Sequence, residues 1–350
     1  MPCSRRSLLR TTGLSLAGGA LASLSGCIGE SFTSDGGGTT DDPSTDTGTA
    51  TDTTTDASDR PGSTGTPPAL AQWLPSPADS PYHDGYGVAY HDLAAIEAQK
   101  EVLHENAHER LLTEASRASR VKALDDYDLG PVDAAMRFGL PGMQVVLGSF
   151  DTGAVRDQLT GVRGTYDDGE EHTGTHLDRY RGFDLYDTGP VLAVSADAIV
   201  TTGYTPEEEK RAFVEAILDA KAGETDRYAD ANSYVGALLG LVDDPHALTC
   251  YPEAMDGSTT RWADGRSGRL RSWTFGSETT ELTCAYTYAE AEQASTEQLA
   301  SRVSADRFEP YDGLEVQKNG EMVWTTGTLP TNEFDYLSPG GPGDGVHTSR

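Results

Sequence analysis

The chain has 350 residues, with 26 Lys plus Arg against 56 Asp plus Glu, a net charge of -30 and a sequence pI near 4.4. A polyanion of this strength excludes nucleic-acid binding, which depends on basic side chains that displace phosphate counterions. The length suits one large domain or two small ones, and no segment beyond the N-terminal region approaches the roughly 20 consecutive apolar residues that a bilayer-spanning helix needs.

In chain order the first element is an export signal. Ser4-Arg5-Arg6-Ser7-Leu8-Leu9 precedes a weakly apolar, Gly- and Ala-containing run to Leu24, which is the charged-then-apolar layout of a removable signal peptide. The Arg5-Arg6 pair resembles the twin-arginine export motif, which implies translocation after folding. Leu24-Ser25-Gly26-Cys27 resembles the lipobox of bacterial and archaeal lipoproteins. That resemblance implies cleavage after residue 26 and a lipid on Cys27, holding the domain at the outer face of the cytoplasmic membrane with the membrane as its first partner. Residues 27–66 are almost entirely Gly, Ser, Thr, Asp and Pro, too poor in apolar surface to offset the entropy of ordering, and form a flexible tether.

Folding begins near Trp73-Leu74-Pro75. Residues 86–91 read as a strand, and Leu93, Ile96, Leu103, Ala107 and Leu111 have the spacing of a helix over 93–112. A strand follows over 143–150, and Asp151 caps a helix running to Leu159. Alternation predicts strands at 180–186 and 191–201, joined as a hairpin by Asp187-Thr188-Gly189-Pro190. Thr205-Pro206-Glu207-Glu208 opens a helix with Phe213, Ile217 and Leu218 inward, because a capping hydroxyl, a first-turn proline and acids at the positive dipole end all favour a start there. A more apolar helix covers 230–242. Strands at 268–275 and 283–288, a helix over 289–303 and strands at 314–318 and 322–326 complete the domain, and 338–350 form a frayed tail.

This order contains a weak strand-helix-strand-strand repeat, with Tyr180-Arg181-Gly182-Phe183 set against Tyr311-Asp312-Gly313-Leu314. The fold class is therefore α+β: two layers, with helices on one face of a largely antiparallel sheet. The boundaries are 1–26 signal, 27–66 tether, 67–245 first part, 246–337 second part and 338–350 tail. Gly148-Ser149-Phe150-Asp151 opening a helix and Tyr-x-Gly opening a hairpin resemble an exported family of unknown function, a likeness that carries over no catalytic residue.

Two chemical constellations stand out. His104-Glu105-Asn106-Ala107-His108 matches the H-E-x-x-H string that binds zinc and activates water in metallopeptidases. Glu109 and Arg110 follow directly, and Leu111 and Glu114 stand where the metzincin continuation has Gly and His. Asp167, Asp168, Glu170, Glu171, His172 and His176 crowd one loop without the spacing of a defined metal loop. Cys250 and Cys284 each follow Leu-Thr, and in an oxidising exterior they are candidates for a disulfide.

Only five of the basic residues are lysines, and lysine poverty beside an acid excess resembles proteins of halophilic archaea. In molar salt the Debye length shrinks to about 3 Å, so the surface carboxylates cease to repel one another. The sequence reading is a noncatalytic, lipid-anchored surface protein adapted to high salt, with no assigned catalytic residue, no cofactor, an unidentified surface partner and no nucleic acid. The alternatives are a lipid-anchored zinc metallopeptidase using His104, Glu105 and His108, and a solute-binding lipoprotein, which would need two similar lobes.

Overall fold

The computed structural model describes residues 65–79, 85–121, 124, 131–139, 142–161, 173–203, 209–252, 265–304 and 308–334. Arg5, Arg6, Cys27, most of the tether, the loop acids from Asp167 to His172, the helix start at Thr205-Pro206 and the tail lie outside these residues. Among the described residues no helix is long and apolar enough to cross a membrane.

The first half runs β1 (Val88–Asp92), α1 (Leu93–Ala98), α2 (Glu105–Ser119), β2 (Val132–Phe138), β3 (Met143–Gly148), α3 (Thr152–Thr160), β4 (Thr175–Tyr180), β5 (Phe183–Asp187), β6 (Val191–Val194) and β7 (Ala198–Thr201). Three helices follow, α4 (Lys210–Ala222), α5 (Tyr228–Ala231) and α6 (Ser233–Leu239), and then β8 (Ala247–Pro252), β9 (Arg266–Phe275), β10 (Thr279–Tyr288), α7 (Thr296–Val303), β11 (Gln317–Asn319) and β12 (Met322–Pro330). Among the described residues all twelve strands join one sheet in the order β11-β12-β10-β9-β8-β1-β2-β3-β7-β6-β5-β4, and every pairing in it is antiparallel. The α+β class and the antiparallel sheet are those read from the sequence. The β1–β8 ladder, from Val88 opposite Cys250 to His91 opposite Ala247, makes the first and second parts one sheet.

Helices cover both faces of that sheet, where the sequence suggested one. On the first face Phe213, Ile217, Tyr228, Val235 and Leu238 from α4, α5 and α6 pack over Val88, Met136, Val145, Leu185, Val200, Leu248 and Leu270. The other face carries two separate clusters. Ile96, Leu103, Ala107 and Leu111, with Leu299 and Val303 of α7, pack over Trp273, Leu282, Cys284 and Tyr286, while Val155 and Leu159 of α3 cover Val146, Leu192 and Ile199. Strands β6 and β7, interior to the sheet near its β4 edge, are buried at every position, as happens when both faces are roofed and the inside-outside alternation disappears. That absence of alternation hid the second helical layer.

Several boundaries differ for local reasons. The single helix expected over 93–112 is two: Asp92 Oδ1 accepts from the Ala95 amide at 2.7 Å to cap α1, and a second start at Glu105 breaks the run. The strand expected at 180–186 is a hairpin, β4 and β5, because Arg181 (φ 48) and Gly182 (φ 89) adopt the left-handed conformations of a tight turn. Arg181 tolerates that conformation while donating from Nε to Asp219 at 2.8 Å and from Nη1 to Glu224 at 2.9 Å, which ties the turn to the end of α4. The strand expected at 191–201 is likewise the hairpin β6–β7. The repeat survives in coarse form, since β3 is hydrogen-bonded to β7 and β10 to β12 across their intervening helices. Asp312-Gly313, however, opens no hairpin. Asp312 instead bridges Thr328 at the sheet edge.

Candidate functional site

The helical roof of the first face ends after α6, and beyond it the sheet surface changes from apolar to hydroxylated. In each strand there, alternate residues face the same way. One transverse row is Ser272, Thr283 and Thr326, and the next is Thr274, Glu281 and Thr328, on β9, β10 and β12 respectively. Leu241 to Asp244, leaving α6, and Asp312-Gly313 wall the surface into a cleft of about 490 Å³. The Asp312 wall is fixed by reciprocal backbone hydrogen bonds with Thr328 at 2.8 and 2.9 Å, and on the other side Thr274 Oγ1 donates to the Asp244 carbonyl at 3.4 Å.

Glu281 stands on the floor of the cleft, Asp243, Asp244 and Asp312 form its rim, and no basic side chain is among the described residues that line it. Five hydroxyls surround these carboxylates. Such a lining offers acceptors, negative charge and orientable O–H groups, which suits a ligand bearing positive charge and several hydrogen-bond donors. Ser272 is buried, and no histidine is among the described lining residues, so these residues form no hydroxyl-imidazole pair. Sequence reading missed this site although a signal was present: Ser272 and Thr274, Glu281 and Thr283, and Thr326 and Thr328 are i, i+2 pairs of polar residues that share one face of their strands.

The H-E-x-x-H residues are arranged differently from a zinc helix. That motif needs both histidines within one helix, one turn apart. Here His104 is the N-cap, with non-helical dihedrals (φ -55, ψ 135), and its Nδ1 accepts from the Asn106 amide. Glu105 is exposed in the first turn, and His108 is buried with Nε2 3.2 Å from Glu97 Oε2. Among the described residues no group of three or more His, Cys, Asp or Glu side chains could hold a metal ion. Of the loop cluster only His176 is described, 3.5 Å from Asp184 Oδ1.

The candidate disulfide is corrected by the register. Cys250 pairs with Leu270 of β9, and Cys284 pairs with Arg271 on the far edge of the same strand. A whole strand separates them, about 10 Å at ordinary spacing, whereas a disulfide needs Cα atoms within about 7 Å. They also point to opposite faces, Cys250 into the cluster under α4 to α6 and Cys284 into that under α2 and α7. Both are free thiols. Burial raises Cys250 to about 12 and Cys284 to about 11, and only the thiolate reacts. Mass spectrometry should therefore find both thiols unmodified after iodoacetamide treatment of the folded chain at pH 8, and both labelled after unfolding.

No family model matches the chain, and no curated protein matches it. Among solved structures, TP0453 in crystal forms IV, I and III aligns with TM-scores of 0.36, 0.35 and 0.34 at 8, 10 and 10% identity. These alignments cover 75–76% of this chain and 94% of TP0453. A likeness of that extent carries no argument about function.

Proposed function

We propose that the chain is a lipid-anchored, noncatalytic binding protein at the outer face of the cytoplasmic membrane, adapted to high salt, whose acidic hydroxyl-lined cleft takes a cationic, donor-rich ligand or partner segment. The observation that carries the reading is the lining: among the described residues it holds four carboxylates and five hydroxyls and no basic side chain. The anchor is read from Leu24-Ser25-Gly26-Cys27 and the solvent from the net charge of -30. In molar salt long-range attraction is screened to a few ångströms, so selection rests on close contacts in the cleft.

Binding is tested by thermal-shift titration of the full chain in molar salt against polyamines and neutral sugars. Polyamines should raise the unfolding temperature, sugars should not, and Glu281→Gln with Thr283→Val should abolish the rise. Equal response to both classes, or none to polyamines, would reject the ligand class. The anchor is tested separately: Cys27→Ala should move the protein from the membrane fraction to the medium, and Arg5→Lys with Arg6→Lys should retain it in the cytoplasm. Release of the wild type in unlipidated form would reject the anchor.

A further inference from the structure

One wall of the cleft hangs on a histidine. Residues 241–244 leave α6 as that wall, and two residues on, His246 stands just before β8. Its N–H donates to the Trp273 carbonyl at 2.9 Å, and its own carbonyl accepts from the Asp92 amide at 2.8 Å. The imidazole adds a third link, since Nδ1 accepts from the Phe275 amide at 3.0 Å and the ring centroid lies 5.9 Å from that of Phe275. The β8–β9 ladder ends at Ala247 opposite Trp273, so Phe275 lies beyond the last paired residue and a side chain takes the place of a backbone acceptor. Nearer the cleft, the wall meets β9 through Thr274 Oγ1, which donates to the Asp244 carbonyl at 3.4 Å, a long and weak bond.

An accepting Nδ1 requires the neutral ring with its proton on Nε2. In the imidazolium both nitrogens are donors, so the Phe275 amide loses its acceptor and one N–H faces another. Two charged groups act on the ring, Asp92 from the start of α1 and Asp244 from the wall itself. From β9 it meets Trp273 and Phe275, both uncharged. Partial burial holds its pKa below 6.5 against the pull of the two carboxylates, which keeps the acceptor in place at neutral pH.

We propose that His246 is a pH-operated latch on this wall: its protonation frees residues 243–245 from β9, and the cleft releases its cationic ligand as the surroundings turn acid. The inference rests on the ligand reading above and adds the regulation of that site. Two effects act in one direction. The wall that carries Asp243 and Asp244 loses its hold on the end of β9, and an imidazolium two residues from Asp244 sets positive charge against a cationic ligand. Linkage makes the coupling reciprocal, so a bound cation keeps His246 neutral to lower pH.

The test is calorimetric titration of spermidine into the full chain in molar salt, from pH 7.5 to pH 5. Aliphatic amines stay protonated over that range and carboxylates stay largely ionised, so the imidazole is the group that changes. Affinity should fall about fivefold or more. His246→Asn, whose carboxamide oxygen offers a non-titrating acceptor near the place of Nδ1, should hold its affinity throughout, and His246→Ala should already bind weakly at pH 7.5. Parallel pH profiles in wild type and His246→Asn, or wild-type affinity in His246→Ala at pH 7.5, would overturn the latch. Hydrogen exchange at the Phe275 amide needs no ligand and separates the two readings. Its protection factor should drop with pH in the wild type and persist in His246→Asn. Absence of spermidine binding at pH 7.5 rejects the ligand class alone, whereas constant Phe275 protection in the wild type rejects the latch itself.

Discussion

Lowering the pH from 7 to 4 should cost the wild-type fold about 3 kcal/mol more than it costs a His91→Leu variant. His91 lies on β1 between Ala135 of β2 and Ala247 of β8, is 6% exposed, and has a buried Nδ1 with no hydrogen-bond partner among the described residues. Burial lowers its pKa from 6.5 to about 4, because the imidazolium would have to shed its hydration without gaining a counter-charge. Between those values the unfolded chain binds a proton that the folded chain refuses. Stability is therefore fully present above about pH 6.5, falls as the pH drops, and levels off near pH 4 once the folded state also protonates. The gap between 6.5 and about 4, at 1.36 kcal/mol per unit, sets the size. Urea unfolding across this range, in salt that screens the carboxylates, isolates the effect as the difference between wild type and variant. Parallel pH profiles would show that His91 is not buried neutral. At pH 7 the variant should match or exceed the wild type, since leucine removes an unsatisfied buried nitrogen.

What the sequence disclosed of the fold depended on whether local chemistry and tertiary environment agreed. Asp151 capping α3 was legible because an Asx cap is a local event: its Oδ1 accepts from the Gly153 and Ala154 amides at 3.0 and 3.1 Å. Phe213, Ile217 and Leu218 were legible as the buried side of α4 because a helix on a sheet keeps one apolar stripe. Strand β2 was missed: Val132 to Phe138 includes two alanines, a methionine and an arginine, helix-favouring residues that become a strand by pairing on both sides with β1 and β3. For the same reason Leu248-Thr249-Cys250 and Leu282-Thr283-Cys284 looked equivalent. Identical local strings carry no information about which neighbour intervenes, and β9 between them decides both the distance and the face. The cleft needed β9, β10 and β12 in register together with the segments 241–244 and 312–313, an arrangement that no local string reveals.

Trp273→Ala should destabilise the protein by about 3–5 kcal/mol, the range for removing a fully buried large aromatic. Trp273 has no exposed surface. It stands opposite Ala247 on β8 and Leu282 on β10, in the cluster that seats α2 and α7. The cavity left behind could not collapse easily, because its walls include sheet backbone fixed by ladders on both edges of β9. Trp273→Phe separates the contributions: it keeps much of the apolar volume and loses the bond to Tyr311, about 1 kcal/mol, together with a smaller cavity. Trp324→Ala is the control, since that side chain is only partly buried against the other face. Chemical unfolding midpoints of the three variants should rank Trp273→Ala lowest, and a smaller loss there than in Trp324→Ala would contradict the packing described. Hydrogen exchange adds a spatial criterion. Because Trp273 contributes to the second face only, amides of α2 and α7 should lose protection before those of α4, and uniform loss across both helical layers would mean that the layers are held as one cooperative unit.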